Sequence, residues 1–166
     1  MQRKVNRLIE VINGEVVCLE NFMTLLTKEQ QLLAENNIQS LQDSVGEQEK
    51  AILEAEKLEK ERIKLTDQIA SNLKLDKDEA SLSRLIQLLE ESYSTQLQEL
   101  QKTLLYLYQK VERQRRKNEF LIRQSMGMVD RNMKFILGVE AAAPTYPRPN
   151  GKKAQAYGRK VVDRLG

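Results

Sequence analysis

The sequence has no histidine and no tryptophan, and its single cysteine is Cys18. Without histidine there is no imidazole to act as a general base, a proton shuttle or a metal ligand. A single thiol can form neither an intrachain disulfide nor a cysteine-based zinc site. These absences exclude most hydrolytic, redox and metal-dependent chemistry. The sequence therefore predicts a protein that is not an enzyme and that holds no cofactor or metal.

Long hydrophobic runs are also missing. The longest stretches without Asp, Glu, Lys or Arg are seven residues, such as Thr103–Gln109. A transmembrane helix needs about 20 mostly apolar residues. The opening, Met1–Glu10, is amphipathic and breaks the signal-peptide pattern of a basic start followed by an apolar run. The sequence thus predicts a cytoplasmic protein without membrane insertion.

Proline and aromatic residues are scarce and unevenly placed. All three prolines lie within residues 144–149, so no earlier segment is barred from a helix by proline. Five Tyr and three Phe are fewer aromatic residues than a β-rich core would use. We expect an all-α fold: a helical bundle domain over residues 1–138, followed by a flexible, basic tail with proline and glycine over residues 139–166.

Apolar residues recur at helical spacing along most of the chain. The pattern predicts helices over Arg3–Glu35 and Ile38–Leu73, separated by a break at Asn36-Asn37, and a long last helix with heptad spacing from Tyr93 to Asn132. Short links favour an elongated antiparallel up-down bundle of three long helices, with or without a short fourth. The apolar face predicted for the second helix consists of Ile38, Leu41, Val45, Ile52, Ala55, Leu58, Leu65, Ile69 and Leu73. The charged belt Glu54–Lys64 is expected to be solvated.

Charge is divided between the two ends of the chain. Residues 1–100 carry 12 basic and 19 acidic side chains, whereas residues 101–166 carry 15 basic and 5 acidic ones. The cluster Glu112–Lys117 could neutralise nucleic-acid phosphates. Because no aromatic residues are interleaved with this cluster for base stacking, a solvated helix face is the favoured interpretation and no nucleic-acid partner is predicted.

Four polar residues fall at heptad core positions of the last helix: Gln114, Asn118, Ser125 and Asn132. They could fix the register of the bundle at some cost in stability. Alternatively, this face could be loosely covered and could receive a helix of another chain.

In the basic tail, Tyr146 lies within a proline- and glycine-containing turn, Pro144–Gly151. A tyrosine offers a large contact area at a low entropic cost, which makes it a plausible docking residue. A simple linker that happens to contain a tyrosine is the other interpretation.

Three of these segments together resemble the FlgN family of flagellar export chaperones. Leu32–Lys50 is similar to the family's helix break followed by a leucine and a later lysine. Asn118–Asn132 is similar to the last-helix pattern of Asn, Leu and Ser followed by a second Asn. Pro144–Gly151 is similar to the signature after the last helix, a Tyr followed by a turn and Asn-Gly.

The resemblance implies a cytoplasmic, ATP-independent chaperone. Its clients would be the C-terminal helices of the hook–filament junction proteins FlgK and FlgL, which it would keep unassembled and deliver to the export gate protein FlhA. The residues expected to contact the client are Asn118, Leu121, Ile122, Ser125 and Val129, and Tyr146 is expected to dock at the export gate.

A coiled-coil adaptor or structural protein without an export client is the alternative function. The sustained heptad spacing of the last helix favours it, since dimers use polar core residues to set their register. The broad apolar stripe of the first helix instead favours an intramolecular bundle. The sequence leaves open whether the chain is a monomer or a homodimer.

Overall fold

The computed structural model describes the backbone of residues 1–137 and the side chains of residues 1–127. This part of the chain is helical and contains no strand, which confirms the all-α prediction. Its α-helices are α1 (Gln2–Ala34, 33 residues), α2 (Ile38–Asn72, 35 residues), α3 (Leu82–Leu88, 7 residues) and α4 (Glu91–Leu137, 47 residues), with a 3₁₀ turn at Lys77–Glu79 between α2 and α3. The predicted division into a bundle and a tail stays a prediction, because residues 138–166 lie outside the described part.

The break between α1 and α2 lies at the two asparagines that the sequence singled out. Asn36 adopts a left-handed conformation with φ 53°, which asparagine tolerates better than most residues. The Asn37 side chain then accepts a hydrogen bond from the Ser40 amide at 3.2 Å and caps α2. The prediction of a helix break here is confirmed.

Contacts along the first interface show that α1 and α2 run in opposite directions. Arg7 pairs with Glu61 at 2.8 Å, and Lys28 pairs with Glu47 at 3.5 Å. Rising residue numbers in α1 therefore match falling numbers in α2.

In contrast, α1 and α4 run parallel. Val5 and Tyr93 line the same surface depression near the start of both helices, and the Asn118 side chain donates to the Leu26 carbonyl near their other ends at 2.7 Å. As a result, α1 is the helix that both α2 and α4 pack against.

The hydrophobic core lies mainly between α1 and α4. Short α3 covers one end of it, with Leu82 and Leu85 fully buried. The Ser94 hydroxyl donates to the Ile86 carbonyl at 2.6 Å and ties α4 to α3. The remaining buried members of the cluster are Val5, Leu8, Ile9, Ile12, Leu19, Leu26, Ile69, Ala70, Leu97, Leu104, Leu107 and Val111.

The predicted apolar face of α2 is wrong at Ile38, Val45 and Ile52, which are exposed. Ile69 is buried as predicted, but the other buried residues of this helix are polar, charged or small: Ser44, Glu59, Arg62, Thr66 and Ala70. The expectation of a fully solvated charged belt is wrong at Glu59 and Arg62 for the same reason. α1 carries a buried carboxylate, Glu15, whose cationic partner is Arg62. This pairing turns the Arg62 face of α2 inward.

Candidate functional site

A buried ionic cluster joins α1 and α2 near their middle. The Arg62 Nε donates to Glu15 Oε2 at 2.9 Å and to Oε1 at 3.1 Å, and both side chains are only 2% exposed. Arg62 Nη2 also lies 4.0 Å from Glu59 Oε1. Burial raises the pKa of Glu15 to about 7, although the charge and hydrogen bond of Arg62 act in the opposite direction.

Tyr108 brings α4 close to this cluster. Burial raises the pKa of the Tyr108 phenol first, and the negative charge of Glu15 and, more weakly, of Glu59 raises it further. Glu15 belongs to α1, Glu59 to α2 and Tyr108 to α4, so the three long helices approach one another at this level of the molecule.

The raised pKa of Glu15 predicts how the free energy of unfolding depends on pH. Its folded-state pKa of about 7 exceeds the ordinary value of 4.5, so the folded chain binds this proton more tightly than the unfolded chain does. The contribution of Glu15 to the free energy of unfolding is therefore full below about pH 4.5 and falls as the pH rises through 7. We expect the stability of the wild type relative to Glu15→Gln to fall by about 2–3 kcal/mol between pH 5 and pH 8. Urea unfolding of both chains across this range measures it, and a difference that is independent of pH would contradict the assignment.

An amide network fixes α4 against α1 farther along both helices than the buried ionic cluster. The Asn118 Nδ2 donates to the Leu26 carbonyl at 2.7 Å and to Glu29 Oε2 at 2.6 Å. Gln114 Nε2 donates to Gln30 Oε1 at 2.6 Å and to Asn118 Oδ1 at 3.0 Å. Both amides are buried and paired, which favours the register-fixing interpretation for Gln114 and Asn118.

Four large apolar residues of α2 are exposed: Ile38, Val45, Ile52 and Leu53. Ile38, Val45 and Ile52, here called the α2 stripe, are seven residues apart and therefore lie on one side of the helix. They are 71%, 43% and 42% exposed. Glu59 continues the same spacing but is buried beside Arg62, so the exposed row ends at Ile52.

Two contacts of α1 show how far α2 and α4 are shifted along its axis. Leu26 accepts the Asn118 hydrogen bond, and Lys28 pairs with Glu47. Leu26 and Lys28 are two residues apart, or about 3 Å along the axis. The first half of α2 and the stretch of α4 around Asn118 thus lie at the same height on α1.

The expected client-contact residues fall into three groups. Asn118 is buried in the amide network, whereas Leu121, Ile122 and Ser125 are partly exposed on α4 beyond it. Val129 belongs to α4, but its side chain lies outside the described residues, as does Tyr146 altogether. The structure neither confirms nor contradicts a binding role for any of them.

Sequence reasoning missed the α2 stripe as a surface because apolar residues at heptad spacing usually indicate a core. The available signal was Arg62, a charged residue at the same heptad position as Ala55 and Ile69 of the predicted face, which pairs with Glu15 in the structure. A buried carboxylate in α1, however, could not be recognised before the helices were packed.

Within residues 1–127, no group of three or more Cys, Asp and Glu side chains has an arrangement that could hold a metal ion. Among the described helices, none combines the length and apolar character needed to cross a membrane.

The fold and the surface together define an all-α protein with exposed apolar residues on α2 and a partly exposed stretch of α4 beyond Asn118. The family model described as FlgN protein matches residues 1–155, and the chain therefore belongs to the FlgN family, a family of flagellar export chaperones. The resemblance noted from the sequence is confirmed. Searches among curated proteins and among solved structures give no match.

Proposed function

We propose that this chain is a cytoplasmic export chaperone, without catalytic activity, for the hook-associated proteins FlgK and FlgL. It binds their C-terminal helices, keeps them unassembled and delivers them to the export gate component FlhA. Membership of the FlgN family supports the class of function. The observation that supports client binding is the partly exposed Leu121–Ser125 stretch of α4, which follows the buried amide Asn118.

The chemistry of this surface suits an amphipathic helix. Helix-in-groove recognition places apolar anchors on one side of a helix. Ser125 follows Leu121 by four residues and Ile122 by three, so the two apolar side chains and the small Ser125 share one side of α4. Val129 continues the same series along α4. A free assembly helix exposes an apolar face that would otherwise aggregate, so shielding it requires contact area and no reactive group.

Asn118 has a supporting role in this proposal. Its side chain is held by Leu26 and Glu29 of α1, so it positions the α4 surface at the point where client contact begins. A client that contacts Asn118 directly must displace at least one of these hydrogen bonds.

Calorimetric titration of the full chain with the C-terminal segments of FlgK and FlgL from the same organism tests the proposal. We expect a 1:1 complex with a Kd of about 1 μM or lower, which corresponds to roughly −8 kcal/mol. Heat with one segment only would identify the client. The absence of a complex with both segments would contradict the proposal, and the coiled-coil adaptor would then be the leading function.

We further propose that Tyr146 docks the loaded chaperone at FlhA. The family match includes this residue, and a tyrosine can bury a large area at a low entropic cost. Tyr146→Ala is expected to weaken binding to the cytoplasmic domain of FlhA at least about tenfold, or about 1.4 kcal/mol, and to leave client affinity unchanged. Tyr157→Ala is a matched control, since residue 157 lies beyond the family match. Equal losses in the two variants would contradict a specific role of Tyr146.

A further inference from the structure

The α2 stripe is not used by the contacts described above. Its three apolar side chains remain exposed although α2 is packed along its length against α1. Apolar side chains seven residues apart on one side of a helix have the spacing of anchors for a partner segment. The charge around the row indicates what it binds.

The surroundings of the α2 stripe are acidic. Residues 38–59 carry six acidic and two basic side chains, a net charge of −4. Glu49 and Glu56 follow Val45 and Ile52 by four residues, so they lie next to the stripe on the same side of the helix. Two copies of this surface would bring like charges together, which disfavours a second copy of the chain as the occupant.

The C-terminal segment of the chain has the complementary composition. Residues 156–166 contain three basic side chains, Arg159, Lys160 and Arg164, and one acidic side chain, a net charge of +2. Val161, Val162 and Leu165 provide apolar residues three or four apart, the spacing by which a helix fits its anchors to an apolar surface. The segment also lies beyond residue 155, where the family match ends.

The chain between the two surfaces is long enough. Asn118 of α4 and Glu47 of α2 lie at the same position along the axis of α1. α4 ends at Leu137, about 28 Å farther along this axis than Asn118. The α2 stripe extends to both sides of Glu47. Residues 138–155 can span about 60 Å when extended, so the last eleven residues can return to any part of the stripe.

We propose that residues 156–166 dock on the α2 stripe of the same chain, with Val161, Val162 and Leu165 covering its Val45 and Ile52 end, and with the basic residues facing Glu49 and Glu56. The chain thereby covers part of its own exposed apolar face. This interaction does not depend on client binding, so its test is independent of the proposed chaperone function.

A spin label on the C-terminal segment tests the docking in the full chain. The label is attached through Asp163→Cys in a Cys18→Ala background, and amide signals are recorded by NMR on the ¹⁵N-labelled protein. We expect the amides of residues 38–52 to lose more than half of their intensity, and those of α3 to remain unchanged. Broadening that is absent, or that falls elsewhere on the described helices, would overturn the proposal.

Charge variants test the specificity. The triple change Arg159→Glu, Lys160→Glu and Arg164→Glu is expected to abolish the broadening of residues 38–52. The matched triple change Lys102→Glu, Arg113→Glu and Lys117→Glu, at exposed positions of α4, should preserve it. Val45→Asp on α2 should reduce it with the C-terminal segment intact. Equal effects of the two triple changes would overturn the proposal.

A mixing experiment identifies which chain supplies the segment. Chain that carries the spin label but no ¹⁵N is mixed with ¹⁵N-labelled chain that carries no spin label. Any broadening of the observed amides then arises only between molecules. We expect none at equimolar concentration. Broadening of residues 38–52 in the mixture would show that the occupant comes from a second copy and would overturn the intramolecular docking.

Discussion

Arg62→Ala is expected to lower the free energy of unfolding by about 3–5 kcal/mol at pH 8. The substitution removes the cationic partner of the buried Glu15 carboxylate, which is charged in the wild type at this pH because its pKa of about 7 lies below the pH. Without Arg62, whose charge and hydrogen bond lower that pKa, the carboxylate must stay charged and unpaired or take up a proton, and either change lowers the free energy of unfolding. Glu59, also buried, adds a second negative charge nearby. Urea unfolding monitored by circular dichroism measures the loss.

Two control variants separate the buried pair from charge loss in general. Glu15→Gln combined with Arg62→Met removes both charges and keeps the volumes similar, so most of the stability should return. Arg7→Ala removes an exposed arginine that pairs with Glu10 and Glu61, and its effect should be much smaller because surface ion pairs are screened by water. An equal loss in Arg62→Ala and Arg7→Ala would contradict the importance of the buried cluster.

Ile122→Asp is expected to weaken client binding about 30-fold or more, which corresponds to at least about 2 kcal/mol. In the proposed complex this side chain enters an apolar contact, and an aspartate there must lose its hydration without a partner. Titration with the FlgK or FlgL segment that binds the wild type measures the change.

Phe120→Asp is the matched control for this prediction. Phe120 is two residues away and 61% exposed, and a step of two residues turns it to the opposite side of α4, by about 200°. Its replacement should leave client affinity within a few-fold of the wild type, and both variants should retain the helical content of the parent chain. An equal loss in both would place the client on another face of the helix.

Much of the local structure could be predicted from the sequence. The turn at Asn36-Asn37 follows from side chains that tolerate a left-handed conformation and cap a helix, which are properties of the residues themselves. The burial of Gln114 and Asn118 follows from heptad spacing. Their donors and acceptors could not be predicted, since Leu26, Glu29 and Gln30 are more than 80 residues away in the chain.

The candidate site was predictable only in part. Leu121, Ile122 and Ser125 were named through the family resemblance, and their partial exposure is compatible with a binding role that is still to be tested. The α2 stripe was missed because Ile38, Val45 and Ile52 have the spacing of a core. Periodicity shows that residues share a face of a helix, but it does not show which partner helix, if any, covers that face.

The sequence by itself therefore determined the long helices, the break at Asn36-Asn37 and the membership of the FlgN family, because these depend on local geometry and on residue patterns along the chain. The separation of short α3 from α4 was left open by the pattern. The tertiary structure alone decided which side of α2 is buried. Glu15 of α1 is surrounded by protein and is stabilised by pairing, and Arg62 reaches it because α2 turns the side that carries Arg62 and Ile69 inward. In this orientation Ile38, Val45, Ile52 and Leu53 stay on the surface, and the α2 stripe remains for a further interaction.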